Sequence, residues 1–160
     1  MGPVELGAYE GKNISEICTV GYDHTKADNH CAHFVSHVFG FDFGQTCKNM
    51  VRGFGEGGNI RVHELFARCP VVGTWEDELL RMCYRICLVF ITAPGNVNIQ
   101  NKTMINMPKK HVGIVCGNVI WHYSNSQRQV VRQLPSAFKH HYPAPHNAMF
   151  WGSLPFGSMA

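Results

Sequence analysis

The stretch that decides the fold is His111-Val112-Gly113-Ile114-Val115-Cys116-Gly117-Asn118-Val119-Ile120-Trp121-His122-Tyr123-Ser124. Two apolar runs of strand length flank Gly117-Asn118, a dipeptide suited to a tight turn, so the segment reads as a β-hairpin. A two-residue turn pairs Cys116 with Val119 and brings His111 opposite Ser124. Side chains alternate between faces, so His122 lies on the His111 face, diagonal to it, while Trp121, Tyr123 and Asn125 point away.

Working outward, Ile86–Ile91 is the longest apolar run and belongs to a buried strand over 84–92, well short of the ~20 residues a membrane helix needs. Gln129–Gln133 reads as a further strand. Upstream, Asp28-Asn29 supplies capping residues, Phe34, Val35 and Val38 make a helical stripe, and Gly40 closes the helix, which places Cys31 in its first turn. Arg61 to Cys69 reads as a second short helix closed by Pro70. Residues 1–28, 52–59 and 94–108 read as irregular or as loops. Helices that precede strands favour an α+β fold, helices packed on an antiparallel sheet.

The 160 residues suit one domain, with a core at about 14–139 and a C-terminal tail over 140–160 that carries Phe150, Trp151 and Phe156. A net charge of +3 and the absence of a basic stripe with interleaved aromatics argue against a nucleic-acid partner. The first residues do not make a basic and then apolar leader, so synthesis in the cytoplasm with reduced thiols is expected.

Seven cysteines, at 18, 31, 47, 69, 83, 87 and 116, contain no paired CxxC motifs, which argues against a zinc cluster. His33 and His37 have the i, i+4 spacing of metal ligands but no carboxylate companion. No metal and no cofactor are expected, and the cysteines other than Cys31 are read as structural.

Cys31 differs because a helix N-terminus favours thiolate. A strand-initial His111 supplies a base, and His122 or, with a strand bulge, Asn125 supplies a group to orient it. That is the nucleophile–base–orienter logic of acyl transfer.

The segment Asn29-His30-Cys31-Ala32-His33-Phe34-Val35, the strand His111-Val112-Gly113-Ile114-Val115 and a histidine 11 residues on resemble the NlpC-type papain-like cell-wall peptidases. The likeness spans about residues 20–45 and 84–133. It implies a papain-like α+β fold with Cys31 as nucleophile, His111 as general base, His122 as third member and Tyr22 near the oxyanion site. His30-Cys31-Ala32-His33 stands where the family usually has Asp-Cys-Ser-Gly. The implied activity is hydrolysis of amide bonds in peptidoglycan stem peptides. For a chain without a leader it further implies export by a dedicated secretion system to the periplasm or wall, as an antibacterial effector with an immunity protein, or release as a lysin. The alternatives are a thiol acyltransferase or deconjugating hydrolase on a related fold, and a non-catalytic binding module.

Overall fold

The computed structural model describes residues 3–22, 29–76 and 86–155. Asp28, Cys83, Phe156 and the first two residues of the strand expected at 84–92 lie outside the described residues. The fold is a mixed α+β arrangement around a six-stranded, wholly antiparallel sheet. Its strands are β1 (Val72–Thr74), β2 (Ile86–Thr92), β5 (His111–Cys116), β6 (Val119–Ser124), β7 (Gln129–Gln133) and β8 (Ala148–Gly152), in the order β1-β8-β2-β5-β6-β7. A separate small hairpin, β3 (Val97–Asn98) and β4 (Thr103–Met104), occupies the segment expected as a long loop. Among the described residues there are also six α-helical segments, α1 (Pro3–Gly7), α2 (Ile14–Ile17), α3 (Cys31–Phe39), α4 (Cys47–Val51), α5 (Val62–Arg68) and α6 (Pro135–Phe138), and 3-10 turns at Pro94–Asn96 and Lys139–His141.

The expected hairpin forms in the expected register, with Cys116 facing Val119, Val115 facing Ile120 and Ile114 facing Trp121 across Gly117 at φ 65°. β2 and β5 are interior strands covered on both faces, which is why they read as continuous apolar runs rather than as alternating ones. Gly113 has a specific reason to be glycine. A Cβ there would come 2.8 Å from Ile120 Cγ2 and 3.1 Å from His122 Cβ.

The sheet divides two cores. On one face Val112, Ile114, Trp121 and Tyr123 pack with Ala32, Phe34 and Val35 of α3 and with Leu65 and Phe66 of α5. On the other, Val89, Ile91, Val115 and Ile120 pack under Phe138 of α6. Helix α3 starts where Asn29 Oδ1 accepts the Cys31 amide at 3.0 Å and ends at Gly40, whose left-handed φ of 75° only a residue without Cβ adopts cheaply.

Two further expectations need correction. The C-terminal segment does not trail off: β8 lies between β1 and β2, with Phe150 opposite Phe90 and Trp151 opposite Val89, so the core runs well past 139. The Pro- and His-rich approach over 140–147 masks a five-residue strand whose apolar residues are buried by neighbours far away in sequence. The N-terminal segment is likewise not wholly irregular, since α2 is held by a capping box in which Asn13 and Glu16 satisfy each other's backbone amides. Among the described residues, no helix is long and apolar enough to cross a membrane.

Candidate active site

Three neighbouring strands carry a chain of hydrogen-bonded side chains on one face of the sheet. His111 Nε2 lies 2.9 Å from His122 Nδ1, and His122 Nε2 lies 2.6 Å from Gln133 Oε1. The amide oxygen of Gln133 can only accept, so His122 carries its proton on Nε2 and presents a lone pair at Nδ1. His111 then donates from Nε2 and keeps a lone pair on Nδ1. That nitrogen is buried and has no hydrogen-bond partner among the described residues. His141 stacks on His111 at 3.9 Å, and Phe138 meets His122 edge-on at 5.0 Å, so the rings are held dry.

Burial sets the protonation of this chain. His111 is pushed well below the ordinary imidazole range by desolvation, reinforced by His141 and His122. His122 is lowered to about 4, with desolvation outweighing the hydrogen bond to Gln133. Both rings are therefore neutral near pH 7, the state a general base requires.

Cys31 occupies the first position of α3 and is fully buried. Its thiol accepts hydrogen bonds from the backbone amides of Val112 and Ala32 and feels the charge of Lys110. Desolvation outweighs all of these and pushes the thiol up to about 11. The expected thiolate is thus overturned: a helix N-terminus contributes about 1 kcal/mol, less than the burial of a sulfur anion costs.

The strand pleat sends Val112 toward α3 and His111 toward Val115 and Phe138, so the Cys31 thiol, held at the Val112 amide, and the His111 imidazole start from opposite sides of β5 and the structure does not bring them together. No hydrogen bond joins Cys31 to His111 among the described residues. Above the thiol lies a cleft of about 240 Å³, bordered by Tyr22, Asn29, Arg61 and Lys110. A hollow of about 390 Å³ between Trp75, Pro135, Lys139 and Phe150 contains none of the candidate residues.

Tyr22 lines the Cys31 cleft and sets its ring edge-on to His30 and His33, at 5.9 and 5.6 Å. Asn125 is engaged elsewhere than the imidazoles, its Oδ1 accepting the His30 amide at 3.2 Å, where it ties the hairpin to the start of α3. The sequence reading missed Gln133. Its signal was available, because the strand over 129–133 pairs Val131 with His122 and leaves Gln133 diagonal to it on the same face.

A second cluster lies on the helical side. Cys18, His33, His37 and Cys47 bring their ligand-type atoms within 4.8 Å of one another. Burial raises the Cys18 thiol, but hydrogen bonds from His33 and His37 bring it down to about 4, while Cys47 is raised to about 11 by burial and by the neighbouring Cys18. The atoms of His111, His122 and His141 are as close. However, the His111 and His141 rings are stacked at an interplanar angle of 17°, so their lone pairs run nearly side by side instead of converging.

Comparison with protein-family models, with curated proteins and with solved structures finds no match.

Proposed function

We propose that the chain is a papain-like cysteine hydrolase of the NlpC type that cleaves amide bonds in peptidoglycan stem peptides. The observation that carries this reading is the relay Gln133–His122–His111. It fixes the tautomer of His111 and leaves on it a buried Nδ1 lone pair with no partner among the described residues, one residue along the strand from Val112, whose amide holds the Cys31 thiol.

In the reaction the Cys31 sulfur has to leave the Val112 amide and swing past the N-terminal end of β5 to the His111 side, where it passes its proton to His111 Nδ1 while it attacks the substrate carbonyl carbon. The resulting imidazolium donates that proton to the leaving amine as the C–N bond breaks, giving a thioester. His111 next takes a proton from water, whose oxygen attacks the thioester. The sulfur leaves with the proton and the product is a free carboxyl group. His122 and Gln133 do not touch the reacting atoms; they hold the ring and share the transient positive charge.

Oxyanion stabilisation has a particular requirement here. The Cys31 amide is capped by Asn29 Oδ1, so a substrate oxygen has to take the place of that side chain, with Tyr22 at the same cleft. Arg61 and Lys110 at the cleft suit a peptide bearing carboxylates, as stem peptides do. An enzyme of this kind reaches the wall through a dedicated secretion system, as an effector opposed by an immunity protein in its producer, or through release by lysis.

The test is incubation of purified peptidoglycan with the wild-type chain and with Cys31→Ala, followed by mass analysis of the released muropeptides. New amine and carboxyl termini with wild type alone support the reading. Equal cleavage by the variant removes the nucleophile. Turnover of lipid or protein-conjugate esters without any of muropeptides reassigns the chain to an acyltransferase or deconjugating hydrolase.

A further inference from the structure

We infer that Cys18, His33, His37 and Cys47 are the ligands of a structural zinc ion that pins the helix carrying Cys31. The four residues come from three elements. Cys18 caps the C-terminus of α2, His33 and His37 stand one turn apart on α3, and Cys47 opens α4. Cys18 Sγ and Cys47 Sγ are 3.9 Å apart, and Cys47 Sγ and His37 Nε2 are 3.5 Å apart.

Those spacings are the edges of a zinc tetrahedron. With Zn–S near 2.3 Å and Zn–N near 2.0–2.1 Å, tetrahedral angles put two sulfurs about 3.8 Å apart and a sulfur and a nitrogen about 3.5 Å apart. The two thiols are not joined as a disulfide, and both are buried. The donor set, two thiolates and two imidazoles, is the one zinc takes in closed structural sites.

The outer shell agrees. His33 Nδ1 lies 3.0 Å from His30 Nδ1, which orients the ring, and the same side chain hydrogen-bonds Cys18 within the cluster. The amide of Gly58 donates to Cys47 Sγ at 3.3 Å, and the backbone of Val20 hydrogen-bonds Cys18. Amides pointing at buried sulfur stabilise thiolates bound to metal. Cys18, His33 and Cys47 are buried and His37 is half-buried, so four protein ligands close the site without a coordination position for substrate. The ion is therefore structural. Its position matters because His33 lies two residues beyond Cys31, and α2 and α4 become fixed to the same helix. This assignment sets aside the expectation of no metal, and it stands whether or not Cys31 is a nucleophile.

The experiment uses the full chain purified without chelator, with metal content measured by mass spectrometry and then with Co(II) exchanged for the native ion. Equimolar zinc is expected, as are intense tetrahedral cobalt bands with thiolate-to-cobalt charge transfer. Cys18→Ser and Cys47→Ser should each lose charge-transfer intensity, and His111→Ala should keep it. If the serine variants do not fold, alkylation of the wild-type chain decides. Cys18 and Cys47 should be protected until a chelator is added, and then react roughly tenfold faster or more, while Cys69 does not change. Charge transfer that survives both serine substitutions, a weak octahedral cobalt spectrum, or alkylation of Cys18 and Cys47 that ignores the chelator overturns the assignment.

Discussion

Replacing Gln133 by leucine interrogates the relay at its outermost member. Gln133 Oε1 accepts from His122 Nε2 at 2.6 Å, and leucine keeps much of the volume while removing the acceptor. A donor left without a partner in a largely buried setting costs about 1–3 kcal/mol. In the resting state of the proposed hydrolase only part of this is felt, because both rings are neutral there. In the proposed reaction His111 takes the thiol proton, positive charge spreads through His122 toward Gln133, and the missing acceptor is felt most.

With about 1.4 kcal/mol per tenfold in rate, kcat should fall roughly 10- to 100-fold with little change in KM. Gln133→Glu separates this from simple loss of packing. A carboxylate at the same place favours the charged imidazole, so it should move the acid limb of the pH–rate profile toward higher pH. Gln133→Leu should move that limb the other way. The assay is initial-rate release of muropeptides across pH, with circular dichroism to confirm folding. Wild-type kcat in the leucine variant, together with an unmoved acid limb in the glutamate variant, would refute the relay.

Stability should fall on acidification. His122 has a folded value of about 4 against 6.5, so the unfolded chain takes up its proton first. The His122 share of the cost builds as pH drops from 6.5 toward 4 and reaches roughly 3 kcal/mol, readable as lost urea stability that His122→Gln reduces, His111 and His141, also lowered by burial, keeping their own shares. Gly113→Ala should lose about 1–3 kcal/mol and more activity than stability alone explains, because the new methyl meets Ile120 and displaces His122; thermal melts and kcat report the two effects. Phe150→Ala, at a buried site opposite Phe90, should cost about 3 kcal/mol in a denaturant titration, whereas a residue on a loose tail would cost almost nothing.

The part of the site that could be read from the sequence is the part whose geometry is local. His111 and His122 sit on one hairpin, and a turn of two residues fixes which side chains share a face. The hydrogen bond between them follows from that register. Gln133 extends the same logic by one strand. The Cys31 environment was less legible, because its helix start was plain but the burial that keeps it a neutral thiol comes from β5, about 80 residues on. Asn125 shows the same limit, since its pairing with the His30 amide depends on where the helix docks.

The thiol–imidazole cluster marks where sequence reasoning stops. His33 and His37 carried a metal spacing, but without partners nearby the spacing argued for nothing. Cys18 and Cys47 lie on two short helical segments whose positions follow from tertiary packing rather than from any periodic pattern. A four- or five-residue helix has little stability of its own. Such segments need an external constraint to present two buried sulfurs to one point, and a shared ion supplies it. The same constraint would hold the first turn of α3 against β5, which links the metal on one side of Cys31 to the neutral imidazole relay on the other. If both assignments hold, stripping the ion should slow turnover by letting that turn shift, while the His111–His122–Gln133 chain, built wholly on the sheet, keeps its pH signature.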